Sequence, residues 1–319
     1  MAGTAGDGRL SNRRFYDILT VLKEMILTGK IWENTGGMHV RNGIEGKHVF
    51  LIALSMVLLY VLSVLCFAEV LMPETGKKVK KDGSLSIDYS HMDEGYVMVK
   101  GVKSKKKQKL LVKYGKNAEL RYDINSSGNY EVLPLQYGNG KYTFTLVENM
   151  SGKKYSQSGK TTLTAKMKDE NRAFLYPNQY VSYTRETEAV LKAEELCRDL
   201  KDPSPTEIAK TVCGFVKKSF AYDYMKANRV KKDDTKGMMP SIDETWKKRM
   251  GVCQDLSAVT CAMLRSQGVP AKLMIGDLKK LYHAWVVLVI DGEEKRFDPT
   301  AEIENKKYKK TDYTLERYY

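Results

Sequence analysis

A chain of 319 residues with 42% hydrophobic and 29% charged side chains is too apolar for wholesale disorder and too polar for a multi-span transporter. Its 53 Lys and Arg against 39 Asp and Glu give a formal net charge of +14, which favours anionic surroundings without choosing among nucleic acid, phospholipid headgroups and an anionic cell wall. Five cysteines without a CxxC pair, and four scattered histidines, signal neither a zinc ribbon, a dithiol redox centre nor a His-rich metal site.

Residues 1–48 read as an N-terminal tail with a short helix around 15–27. Residues 49–68 follow without one charge, and Ser55, Tyr60 and Ser63 are their only polar members. At about 1.5 Å per residue such a helix spans roughly 30 Å, one hydrocarbon core. Two fates are open for it. A retained anchor suits the long preceding tail. Cleavage after Ala68 suits the small residues at positions −3 and −1 of Cys66-Phe67-Ala68, above all if translation starts at Met38. One hydrophobic segment followed by a polar region is the layout of an exported protein, so the C-terminal part is placed outside the cytoplasm. Residues 69–83 read as a basic linker.

Residues 84–167 carry a β pattern. Tyr142, Phe144 and Leu146 alternate with Thr143, Thr145 and Val147 after the turn Asn139-Gly140. Further strands are predicted over 96–99, 110–114, 118–122 and 161–165, with turns at Ser126-Ser127-Gly128 and Ser151-Gly152. This spacing predicts a small β-sandwich. The run Lys105-Lys106-Lys107 is either a solvated hairpin tip or a polyanion contact.

Residues 168–319 read as the last domain. Ala189, Ala193, Leu196 and Leu200 recur on one helical face. Ser204-Pro205-Thr206-Glu207 is a helix start, with Ser at N-cap, Pro at N1 and Glu at N3, and Ile208, Val212 and Phe215 continue the stripe. Residues 231–240 read as a polar loop. Cys197 and Cys213 are either small buried side chains or a disulfide pair.

The chemistry concentrates after Gly251. Leu256, Val259, Met263 and Leu264 lie at helical spacing, and Gln267-Gly268 supplies a stop, so Cys253 falls at the first turn of a helix. Free N–H groups and the helix dipole favour negative charge there. Residues 271–276 and 282–290 read as strands, the second ended by Asp291-Gly292, and 294–297 as a third running into Asp298-Pro299-Thr300. An antiparallel pair joined at Asp291-Gly292 brings His283 beside Asp298. A helix N-terminus packed on that sheet would add Cys253, giving nucleophile, base and orienting carboxylate.

GVCQDLSAVTCAMLRSQGVPAKLMIG followed by YHAWVVLVIDGEEKRFDPT resembles the transglutaminase-like superfamily, in a bacterial membrane-anchored or secreted form. The resemblance implies Cys253 as nucleophile, His283 as general base and Asp298 as the residue orienting the imidazole. It implies an α+β fold: a papain-like core with the Cys-bearing helix against an antiparallel sheet, preceded here by the β-sandwich and one transmembrane helix. Phe220-Ala221-Tyr222-Asp223-Tyr224 resembles the aromatic-acidic segment that precedes the Cys motif in this family, and makes Tyr222 a candidate oxyanion donor beside the backbone N–H of Cys253. Trp246 reads as a packing residue.

The expectation is therefore a thiol enzyme at the cell membrane, single-pass through 49–68 or secreted after Ala68. It acts on protein or peptide amides through a Cys thioester, by acyl transfer or hydrolysis. No cofactor, no metal and no specific nucleic acid are expected; an anionic cell-wall polymer is a candidate partner. The alternative is a non-catalytic surface protein that binds wall polymer or a protein partner.

Overall fold

Alternating apolar and polar side chains draw the first half of the folded chain into strands. A computed structural model of the protein describes residues 76–115, 118–232 and 239–319, which fall in one compact unit. The tail 1–48 and the segment 49–68 lie outside the described residues, as do 233–238 of the expected polar loop. Among the described residues no helix is long and apolar enough to cross a membrane.

Strands β1 (Val79–Asp82), β2 (Leu85–Asp88), β3 (Tyr96–Lys100), β4 (Gln108–Tyr114), β5 (Ala118–Ile124), β6 (Glu131–Pro134), β7 (Gly140–Ser151) and β8 (Lys154–Ala165) form two four-stranded antiparallel sheets, ordered β1-β2-β3-β6 and β5-β4-β7-β8. The register sets Leu110 opposite Leu146 and Val112 opposite Phe144, all buried, while Lys109 and Lys113 pair with Val147 and Thr143 on the other face. Leu85, Ile87, Val97 and Val99 join the same core from the other sheet. Among the extents that differ from the sequence reading are those of β1 and β8. β1 lies inside the expected basic linker: its residues are all exposed, and as a charged edge strand it carries no apolar alternation to read. β8 begins at Lys154 because its long hairpin with β7 orders a polar stretch that has no burial pattern of its own.

The second half supplies helices α1 (Glu188–Arg198), α2 (Pro205–Ser219), α3 (Tyr224–Lys232), α4 (Ile242–Lys248), α5 (Cys253–Ser266) and α6 (Pro299–Ile303). Between them run β9 (Ala221–Tyr222), β10 (Met250–Gly251), β11 (Ala271–Leu278), β12 (Leu281–Ile290), β13 (Glu293–Phe297) and β14 (Tyr313–Tyr318). The capping box starts α2 as expected: Glu207 N–H donates to Ser204 Oγ at 3.3 Å and Ser204 N–H to Glu207 Oε2 at 2.9 Å. Cys197 and Cys213 are free thiols.

Helix α5 is central. Every residue from Asp255 to Arg265 is buried, because α1, α2 and α4 cover one side and the antiparallel sheet β13-β12-β11-β14 the other. Ala284, Val286 and Leu288 belong to the core shared with α5, whereas Trp285 and Val287 pack with Met274, Tyr313 and Tyr318 in a separate cluster. The β-sheets and this core are fastened together. Tyr180 stacks on Tyr319 with centroids 3.6 Å apart, and the Gln136 side-chain amide donates to the Tyr318 carbonyl.

Candidate active site

Gly251 and Cys253 are placed by a two-residue parallel bridge. β10 pairs with β9, Gly251 opposite Tyr222, so the segment before the helix is tied to the segment before α3. Val252 is extended and Cys253 begins α5. Asp255, two residues on and 2% exposed, accepts the Val252 N–H at 3.0 Å and the Lys226 ammonium at 2.7 Å. A Cβ on residue 251 would lie 2.7 Å from Asp255 Cβ and 3.0 Å from Thr245 Cγ2. Glycine is required there by the close approach of the Asp255 and Thr245 side chains.

His283 sits where β12 outruns its neighbour. Pairing with β13 stops at Val286–Phe297, so the β12 edge from Leu281 to Trp285 extends past the end of β13. Asp298 is not part of the strand. It is the N-cap of α6, and its two oxygens divide the work. Oδ1 accepts the Ala301 N–H at 3.0 Å; Oδ2 lies 2.8 Å from His283 Nε2 and accepts the Tyr313 hydroxyl at 2.8 Å. Cys253 is the other neighbour that favours the charged form of the His283 ring. With Nε2 committed to Asp298, Nδ1 is the nitrogen left for sulfur. The structure thus brings Cys253, His283 and Asp298 together, through a diagonal reach from a helix cap where the sequence suggested a strand end.

Charge in this cluster is strongly biased. Burial is the largest influence on His283 and pulls its pKa down. The hydrogen bond to Asp298 and the proximity of Cys253, with the negative charge of both, outweigh it and raise the value to about 9. Asp298 is held below the ordinary carboxylate value: burial raises it, but His283, the Ala301 N–H and the Tyr313 hydroxyl win. Burial and the charge of Cys253 push the Tyr222 phenol up to about 12, so it is a neutral donor at neutral pH. Burial likewise pushes the Cys213 and Cys261 thiols up to about 12.

Tyr222 is half-buried within the electrostatic reach of Cys253, its ring 4.9 Å from that of Tyr224. Trp246 packs as expected, against Phe215 and Phe220 and under the Arg249 guanidinium at 3.6 Å. Sequence reasoning passed over two features. Tyr313, on the last strand, bears on Asp298 from 15 residues away, with no local signal. Asp255, the third residue of α5, accepts the Val252 N–H and pairs with Lys226, 29 positions away, with no Ser, Thr, Asp or Asn at the N-cap to signal it. Among the described residues no group of three or more His, Cys, Asp or Glu side chains is arranged to hold a metal ion.

No curated protein matches the chain. Among solved structures it is similar to a candidate cysteine protease of Cytophaga hutchinsonii, at 13% identity and a TM-score of 0.35 over 75% of this chain and 82% of that one. It is also similar to the periplasmic domain of TgpA from Pseudomonas aeruginosa, crystallised with ethylmercury, at 15% identity and a TM-score of 0.32 over 72% of this chain and 76% of that one. A third is red sea bream transglutaminase, at 14% identity and a TM-score of 0.25 over 64% of this chain and 47% of that one. The Transglutaminase-like superfamily model matches residues 193–299, a span that holds Cys253, His283 and Asp298. Over that span the chain is similar to the transglutaminase-like superfamily.

Proposed function

We propose that this protein is a thiol acyl-transfer enzyme acting on protein or peptide amides, with Cys253 as nucleophile, His283 as base and acid, and Asp298 as its orienting partner. The observation that carries the reading is the His283 imidazole held 2.8 Å from an Asp298 oxygen, with Cys253, at the start of α5, as its other electrostatic neighbour. Cys253 Sγ attacks the acyl carbon, and the electron pair moves to the carbonyl oxygen. The Cys253 N–H, free at the helix start, and the Tyr222 hydroxyl donate to that oxyanion. The C–N bond then breaks, the His283 imidazolium protonates the leaving amine, and a thioester remains. An incoming amine or water attacks the thioester, gives its proton to His283 and releases the sulfur. An amine acceptor yields transfer, water yields hydrolysis.

Thiol labelling tests the assignment. Iodoacetamide at pH 6 should modify Cys253 faster than Cys197, Cys213 and Cys261, and mass spectrometry should detect an acyl adduct on Cys253 after incubation with peptide amides. Labelling of all four at one slow rate would sink the enzyme reading. Tyr222→Phe should leave the labelling rate unchanged and lower amide turnover by about 10²-fold, the usual cost of one oxyanion donor. Unchanged turnover in that variant would return Tyr222 to a packing role.

The reading places the enzyme at the membrane, held by residues 49–68, with the catalytic domain outside the cytoplasm. Its support is the uncharged run itself. The full chain should require detergent for extraction; release into aqueous buffer without proteolysis would remove the anchor.

A further inference from the structure

Away from the thiol site, one end of the β-sandwich gathers positive charge around a hollow. The loop before β4 and the β7–β8 turn border an open hollow of about 600 Å³, lined by Lys105, Lys106, Lys107, Lys109 and Lys153 with Asn149, Met150 and Tyr155. Its walls are fixed by the backbone. Asn149 N–H donates to the Lys107 carbonyl at 2.8 Å, and Asn149 Nδ2 closes the turn on the Gly152 carbonyl at 2.8 Å. Ser104 pins the loop, accepting the Lys106 N–H at 3.1 Å and donating to Glu148 at 2.7 Å.

Carboxylates satisfy only part of this charge. Lys106 faces Glu148 at 3.5 Å and Lys109 faces Asp123 at 3.0 Å. Lys105, Lys107 and Lys153 are exposed and make no ion pair among the described residues. Five ammonium groups of one sign around a concavity raise the local concentration of anions. Their chemistry narrows the class. All the cations are Lys and none is Arg, so the site offers point charges on flexible stems and no planar fork for a carboxylate. Tyr155 is the only aromatic in the lining, too little to stack successive bases. The groups surround a hollow of ligand size, where a flat bilayer would meet a plateau.

We propose that this hollow binds a flexible, base-free phosphate polyanion of the polyphosphate kind, with Lys105, Lys107 and Lys153 as its principal contacts. The inference rests on the β-sandwich and not on the thiol chemistry, so either can fail alone.

The test measures binding of the detergent-extracted full chain to long-chain inorganic polyphosphate across a salt series. Single-stranded oligo(dT) of equal charge and micelles doped with phosphatidylglycerol serve as competing anions. The triple variant Lys105→Gln, Lys107→Gln, Lys153→Gln should weaken polyphosphate binding about tenfold or more at physiological salt. It should also lower the slope of log K against log salt by about 2, at roughly 0.7 per lost contact. A control triple, Lys201→Gln, Lys210→Gln, Lys218→Gln, removes the same charge from exposed positions elsewhere and should change affinity less than about twofold. Both triples should keep the wild-type Tm and Cys253 labelling rate. Equal losses in both triples would reduce the effect to net charge and overturn the proposal. So would absence of polyphosphate binding, or tighter binding of oligo(dT) or doped micelles lost in the first triple.

Discussion

Asp298→Asn should lower amide turnover by about 10⁴-fold, the scale of loss when a triad aspartate becomes asparagine in a serine protease. The substitution keeps an oxygen for the Ala301 N–H but turns an amide toward His283 Nε2 and the Tyr313 hydroxyl, where Oδ2 now accepts. His283 loses its strongest support for the charged form, and its pKa should fall from about 9. Iodoacetamide labelling of Cys253 near pH 6 should slow, and its pH profile should shift. Folding will feel the change too. Asp298 is 6% exposed and caps α6, so a substitution there is not confined to the site; a cost of about 1–3 kcal/mol follows from the buried His283 and the half-buried Tyr313 left without an acceptor.

The pH dependence of that cost has a fixed sign. The raised pKa of His283 contributes stability that is complete below its ordinary value of 6.5 and lost as pH rises through about 9. The lowered pKa of Asp298 contributes stability present above its ordinary 3.8 and lost as pH falls. The stability difference between wild type and variant should therefore be largest near pH 5–6 and shrink in both directions. A variant that loses Tm but keeps the wild-type labelling profile would leave Asp298 a helix cap and remove it from the triad.

Arg265→Ala should destabilise the protein more than any substitution at the active site. Arg265 is fully buried in the last turn of α5 and donates to three backbone carbonyls on three separate segments: Ala271 at 2.8 Å, Tyr176 at 2.7 Å and Tyr319 at 2.8 Å. Removing it strands all three acceptors in the core and leaves a cavity between α5, the start of β11 and the end of β14. A loss of about 3–5 kcal/mol is expected, a large share of the roughly 5–15 kcal/mol that holds a domain of this kind together. Arg265→Lys keeps the charge but cannot span three carbonyls, and should cost about 2 kcal/mol or more. Urea midpoints for the two variants check this; a loss under about 1 kcal/mol in Arg265→Ala would mean the carbonyls find water.

Local rules made much of this legible in the sequence. The capping box at Ser204, the β7 alternation, the Asp291-Gly292 turn and the placement of Cys253 at a helix start each follow from a few adjacent residues, whose backbone preferences act without the rest of the chain. The order of cysteine, histidine and aspartate was legible for the same reason, since an antiparallel hairpin fixes which ends meet. Tertiary structure alone decided the rest. It brought Tyr313 onto Asp298, Lys226 onto Asp255 and the Arg265 guanidinium onto three carbonyls. Those partners lie 6 to 89 positions apart and no periodicity links them. They meet because a buried charge or donor must find a partner wherever packing leaves one, and packing is a property of the whole chain.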